Sequence, residues 1–166
     1  KLKISNSIDK LKTTGFFKDV KIKQKNVSNS DNVDIEIKIV ESPTGEIGAG
    51  VGVGSNGSNV SFNFKENNLL GKGLGFNVLG SFGTESVSAN VFLTNPDFAN
   101  SGNLLKTGFY VSKYENETSG YENKIIGSSV STGFEWFEDV NLKYGISVDI
   151  DDLTAEGSAS SLIKSR

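Results

Sequence analysis

Val140-Asn-Leu-Lys-Tyr-Gly-Ile-Ser-Val-Asp-Ile150 sets the terms on which the rest of the chain is read. Its apolar side chains, Val140, Leu142, Tyr144, Ile146, Val148 and Ile150, fall at every second position, with Asn141, Lys143, Gly145, Ser147 and Asp149 between them. A strand sends successive side chains to opposite faces, so this stretch has one apolar face and one small or polar face. About ten residues of such alternation is the length of a strand that crosses an outer membrane in a β-barrel.

Upstream the same pattern recurs six times. Ile47, Ala49, Val51 and Val53 share one face of the first strand, and Gly48, Gly50, Gly52 and Gly54 the other. Val60, Phe62 and Phe64 oppose Ser61, Asn63 and Lys65; Phe76, Val78 and Phe82 oppose Gly75, Asn77 and Ser81. Val87, Ala89, Val91 and Leu93 are set against Ser88, Asn90 and Thr94, and Leu105, Phe109 and Val111 against Lys106, Gly108, Tyr110 and Ser112. The sixth strand alternates Ile126, Val130 and Phe134 with Gly127, Ser129, Ser131 and Gly133. A soluble sandwich also alternates, but it turns its polar face to water and fills it with long charged side chains. Here that face is Gly, Ser and Asn, which suits a polar but confined barrel lumen.

Composition narrows the function. The chain has 166 residues, and seven strands is an odd number where bacterial single-chain barrels are even. It begins at Lys1 rather than Met, and the expectation is an internal piece of a larger protein. There is no cysteine and no histidine, which removes disulfides, thiolate metal sites and the commonest general base, so an enzyme is not expected, nor a cofactor or metal. Net charge is −3 with dispersed Lys and Arg, a poor footprint for nucleic acid. No run of eighteen apolar residues exists, and the mean hydropathy of −0.26 is what a barrel gives when only alternate residues meet lipid.

The first forty residues differ. Ile4, Ile8 and Leu11 fall at helical spacing, and Gly15 stands where a helix ends in a left-handed turn. Two strands follow, Phe17, Val20 and Ile22 with intervening lysines, then Val33, Ile35, Ile37 and Ile39 alternating with Asp34, Glu36 and Lys38. The polar segment Asn26 to Asn32 reads as a hairpin loop, with Lys21 and Lys23 expected to face Asp34 and Glu36. Ser42-Pro43 marks the boundary with the strands beyond.

Thr14-Gly-Phe-Phe17 and Val33-Asp-Ile-Glu-Ile-Lys-Ile-Val-Glu41 resemble the end of the last periplasmic POTRA domain of the BamA family of outer-membrane assembly factors. Thr44-Gly45 leading into Gly48-Ala-Gly-Val-Gly-Val-Gly54 resembles that family's first barrel strand, Asn68-Leu-Leu-Gly-Lys-Gly73 its turn after the second strand, and Thr94-Asn-Pro-Asp-Phe98 its turn after the fourth. The resemblance implies a mainly β chain: residues 1–42 as the α/β C-terminal part of a POTRA domain, and residues 43–166 as the N-terminal half of an antiparallel transmembrane barrel. The family's whole barrel has about sixteen strands, an even number. The implied location is the bacterial outer membrane with the POTRA part in the periplasm. The implied partners are unfolded outer-membrane proteins, outer-membrane lipid and accessory assembly lipoproteins.

With the first module in the periplasm, the turns at Asn67 to Gly73, Asn95 to Asn103 and Glu135 to Asp139 share the periplasmic side, where Phe98, Phe134, Trp136 and Phe137 make an aromatic girdle. Ser55 to Asn59, Gly83 to Ser86, Tyr114 to Asn123 and the segment after Asp151 are assigned to the exterior. An insertase must open its seam, and the glycines of Ile47 to Gly54 weaken that strand, so this edge is expected to template incoming strands by β-augmentation. The alternatives are a paralogous translocation or two-partner secretion transporter and a soluble all-β binding module. Gly48 to Gly54 is no dinucleotide loop because no helix follows, Gly71-Lys72-Gly73 lacks the rest of a P-loop, and Asp149, Asp151, Asp152 and Glu156 read as a solvated loop rather than a calcium site.

Overall fold

A computed structural model describes residues 2–26, 33–54, 57–116 and 118–155. The chain divides into two units, Lys1–Thr44 and Gly45–Arg166. In the first, α1 (Leu2–Thr13) is followed by β1 (Phe17–Asn26) and β2 (Val33–Glu41), which pair antiparallel. The helix ends as its residues dictate. Thr13 and Thr14 hydroxyls donate to the carbonyls of Asp9 and Leu11 at 2.8 and 2.6 Å, and Gly15 takes a φ of +73°.

Among the described residues, Val20, 4% exposed and opposite Ile39, is the buried apolar side chain of this unit, where α1 packs on β1. The charges pair two residues away from the expected register. Lys21 lies opposite Lys38, Lys23 opposite Glu36 and Lys25 opposite Asp34. Lys21 bonds Asp19 of its own strand at 3.1 Å, and Glu36 is bridged by Lys25 at 3.6 Å and Lys38 at 3.5 Å. The register is unbroken from Asp19 to Asn26, with the one irregularity lying beyond it between Phe17 and Asp19, so the offset is set by where the hairpin turns rather than by a bulge among these charges. Of the expected hairpin loop, residues 27–32 lie outside the described residues.

The second unit is one seven-stranded antiparallel sheet in strict chain order: β3 (Gly45–Gly54), β4 (Gly57–Leu69), β5 (Leu74–Gly83), β6 (Ser86–Phe98), β7 (Asn103–Asn116), β8 (Tyr121–Phe137) and β9 (Val140–Ala155). Every pairing keeps the two faces apart. Ile47 lies beside Phe64, Phe64 beside Val78, Val78 beside Val91, Val91 beside Phe109, and Ile126 beside Ile150. Gly48 lies beside Asn63, Ser81 beside Ser88, and Gly127 beside Asp149. The sheet is open: among the described residues β3 pairs only with β4 and β9 only with β8, so the expected barrel is present as an unclosed seven-stranded wall.

The apolar face of that wall is largely exposed along its described residues. Ile47, Val51 and Val53 are 85, 86 and 89% exposed, Ile146 is 76% exposed, and among the described residues no apolar side chain of this unit is buried. A sandwich would bury this face against a second sheet about 10 Å away, and among the described residues this unit contains no second sheet.

Strands outrun their expected ends. β6 continues to Phe98, β8 to Phe137, β7 to Asn116, and β9 to Ala155, where external loops or turns were expected at Tyr114 to Asn123 and after Asp151. The alternation does not stop there; it changes chemistry. On the face that was apolar, Lys113 bridges Glu122 at 2.7 Å and Glu115 at 3.2 Å, and Lys124 bridges Glu122 at 2.6 Å. On the other face Tyr114 and Tyr121 pack at 6.0 Å. A search for apolar side chains at alternate positions ends where the charges begin.

Two turns at one end of the sheet are built alike. After β4, Asn68 accepts from the Gly73 N–H at 2.7 Å, and after β6, Asp97 accepts from the Gly102 N–H at 2.7 Å. Leu70, Gly71 and Gly73 have positive φ, as do Ala99, Asn100 and Gly102, and each strand carries an irregularity just before its turn. The third turn at that end is a shorter Glu138-Asp139 connection.

Candidate functional site

β3 is the candidate site, and what surrounds it is best described face by face. One edge of β3 pairs with β4 over its whole length, Gly45 opposite Glu66 through Gly54 opposite Gly57. The other edge meets no strand among the described residues. Ile47, Ala49, Val51 and Val53 share its apolar face, while Gly48, Gly50, Gly52 and Gly54 share the polar face, the split expected from alternation.

Gly48, Gly50 and Gly52 have no left-handed φ, so backbone conformation does not demand glycine at these positions. The demand is steric and comes from β4. The Asn63 carboxamide oxygen lies where a Cβ on Gly48 would stand, the Asn59 carboxamide oxygen does the same over Gly52, and Ser61 Oγ is 3.1 Å from the corresponding point at Gly50. The glycines and their covering amides were each visible in the sequence. Only the in-register hairpin brings them together, and reading Gly-x-Gly-x-Gly against Asn-x-Ser-x-Asn as opposed strands is the signal that finds the pairing.

The apolar band varies in height along the sheet. On β9 it runs from Leu142 to Ile150, about 26 Å of strand, whereas on β4 it holds only Val60, Phe62 and Phe64, about 13 Å. On that face of β4 Glu66 follows at one end and Ser58 at the other. The band is thus shortest on β4, between β3, where Ile47 to Val53 spans about 20 Å, and β5, where Phe76 to Phe82 spans about 20 Å.

The four aromatic residues expected to form a girdle all lie toward the end of the sheet with the twin turns. Phe98 pairs with Asn103 and Phe134 with Leu142. Trp136 sits at the irregularity between Glu135 and Phe137, which lets two neighbours in sequence point the same way, and their rings stack at 5.7 Å and 15°. They are 58 and 65% exposed. Phe134 contacts Tyr144 edge-to-face at 6.3 Å, a partner the sequence reading left out.

The acidic cluster is split by the pleat. Asp149 and Asp151 share the polar face of β9, where Asp149 accepts a hydrogen bond from the Tyr110 hydroxyl, and Asp152 faces the other way beside Lys124. Glu156 lies outside the described residues. Among the described residues, no group of three or more side chains could hold a metal ion.

Known proteins match most of this chain. A family model described as the Omp85 superfamily domain matches residues 68–165. The outer membrane protein assembly factor BamA of Neorickettsia risticii (strain Illinois) is 28% identical over 172 aligned residues, covering 98% of this chain and 22% of that protein. Among solved structures, the crystal structure of BamA from Haemophilus ducreyi lacking POTRA domains 1–3 matches with a TM-score of 0.79 and 32% identity, covering 91% of this chain and 30% of that one. The chain therefore spans about a fifth of the length of the curated relative it matches.

Proposed function

Because the chain belongs to the Omp85 superfamily, we propose that it serves outer-membrane protein assembly of the BamA type, with β3 as the edge along which a client strand pairs. The observation that carries this reading is the state of β3: a strand with one edge paired among the described residues, an apolar face 85–89% exposed at Ile47, Val51 and Val53, and a short apolar band on β4 beside it. A wall with an open apolar face belongs in lipid, where backbone groups must find partners within the protein, and an unpaired strand edge in lipid is costly until another strand fills it. A client strand fills it by main-chain hydrogen bonds, which read no sequence and so accept many clients. The short band on β4 favours the same edge, since a bilayer thins to match a short apolar height.

In this reading residues 1–42 are the C-terminal part of a POTRA domain on the periplasmic side, and the twin-turn end of the sheet faces the periplasm. Phe98, Phe134, Trp136 and Phe137 sit at the headgroup level there, where aromatic rings prefer to lie. The ion-paired continuation of β7 and β8 projects beyond the apolar band on the exterior. Outer-membrane lipid and unfolded barrel proteins are the partners, with accessory lipoproteins on the periplasmic side. No chemistry is performed: the work is templating, and the protein is no enzyme.

The test is reconstitution of the intact protein in lipid vesicles, following heat-modifiable gel mobility and the folding of an added barrel client. A mobility shift with faster client folding supports the assembly function. A shift without acceleration points to a transporter of the same superfamily, and no shift returns the chain to a soluble role.

A further inference from the structure

We propose that Asn63 and Asn59 of β4, not β3 itself, read the side chains of the strand that pairs with β3; this rests on the pairing reading above. β3 offers an incoming strand its backbone, and on the polar face it offers no side chain, since Gly48, Gly50 and Gly52 have none. That surface is not bare. Carboxamide oxygens from the neighbouring strand occupy the Cβ places of Gly48 and Gly52, so each amide stands over β3 itself, one strand nearer the open edge than its own backbone.

The geometry sets what the amides can touch. Neighbouring strands lie about 4.8 Å apart, and directly opposed Cβ atoms are about 5 Å apart. A client residue opposite Gly48 therefore has its Cβ about 5 Å from the Asn63 carboxamide, and a hydroxyl or amide on that side chain falls within hydrogen-bond reach. Asn59 also donates to Ser81 Oγ at 3.5 Å, which steadies it from the β5 side; the Asn63 carboxamide has no such partner among the described residues. Asn63 is thus the freer reader and Asn59 the better-held one.

A carboxamide both donates and accepts, so the preferred client residues opposite Gly48 and Gly52 are Ser, Thr, Asn or Gln. Opposite Gly50 the cover is the shorter Ser61, and a bulkier client residue fits there. The client recognised is a strand with hydrogen-bonding side chains at two alternate positions on the face that does not meet lipid. Backbone pairing supplies the attraction, and the amides supply the register. A slip by one residue would put apolar side chains under the amides.

The experiment uses the intact protein in vesicles, with cysteines placed for disulfide crosslinking between β3 and the pairing strand of a barrel client. The client carries Ser, Thr, Val or Leu at the residue opposite Gly48. With the wild-type protein, Ser and Thr clients should crosslink in the designed register about fivefold more than Val and Leu clients, the scale of one net hydrogen bond. Asn63→Ala should abolish that preference while leaving total crosslinking to β3 in place, and Asn63→Gln should restore part of it. Equal crosslinking of all four clients by the wild-type protein, or a preference that survives Asn63→Ala, would overturn the inference while leaving strand pairing intact. Absence of crosslinks with every client would overturn the pairing reading and this inference with it. Heat-modifiable mobility of Asn63→Ala reports that the variant is folded.

Discussion

β3 and β9 stand at opposite ends of the same sheet, alternate just as strictly, and are held in different ways. β3 is 10 residues long, and its polar face consists of glycines overlaid by side chains from β4. β9 is 16 residues long and reaches inward with its own side chains. The Tyr110 hydroxyl of β7 crosses over Gly127 of β8 to bond Asp149, and Lys143 lays its stem on Gly133, with Cγ 3.0 Å from where a Cβ would stand. Both strands depend on glycine: β9 has Gly145 of its own packed against Ser131, but at Gly127 and Gly133 the glycine lies in the neighbouring strand and makes room for contacts that hold β9 down. At β3 the glycine is in the end strand itself. Among the described residues, contacts at β9 therefore reach across three strands, whereas β3 is held by its ladder to β4 and by the β4 side chains laid over it.

The sharpest way to break that comparison is at Gly127. A Cβ there would collide with both the Tyr110 ring and the Asp149 carboxylate, neither of which can withdraw without giving up their hydrogen bond. Gly127→Val should destabilise the folded protein by about 2–3 kcal/mol, the range for overfilling a packed position. Urea unfolding of the protein refolded in detergent measures it, and a cost below half that figure would mean β9 is not fastened through this contact.

Tyr110→Phe is the milder version. It keeps the ring over Gly127 and removes only the hydroxyl that reaches Asp149, so about 1 kcal/mol is expected. Combined with Gly127→Val, the two losses should fall well short of additive, because both break one contact. Full additivity would show that the ring and the hydroxyl act separately, and the fastening would then be ordinary packing.

Much of this contrast was legible in the sequence, and the part that was not has a physical reason. Alternation assigned the apolar residues it picked out in β3 to β9 to one face, although Leu79, Phe92, Leu104, Ile125 and Leu153 lie on the other. Gly15 as the helix end and the glycine-bearing turn at 71–73 were also readable, since a positive φ leaves few residues to choose from. Strand ends were not readable where the faces became charged, as at Lys113 and Glu122, or where an irregularity restarted the phase, as at Trp136. Nor was the candidate site complete. Ile47 to Gly54 could be picked out as the weak strand, but the amides over it belong to a different strand, and contact across a ladder depends on register that one strand's sequence does not contain.

Gly48→Ala carries the smallest expected change in stability and separates two accounts of the glycines. If they matter because glycine weakens a strand, Ala should raise stability by about 0.5–1 kcal/mol, the usual gain at a position whose φ suits any residue. If they matter because Asn63 lies over them, the new methyl displaces the carboxamide, and loss of that packing offsets the gain, leaving a net change within about 0.5 kcal/mol. The two accounts part again in function. On the first, a stiffer β3 slows all clients alike. On the second, client folding in vesicles slows most for clients with Ser or Thr opposite residue 48 and hardly changes for those with Val. A near-neutral midpoint together with a client-dependent slowing places the role of Gly48 in making room for its neighbour, so that the weakness of β3 and its selectivity come from the same missing side chain.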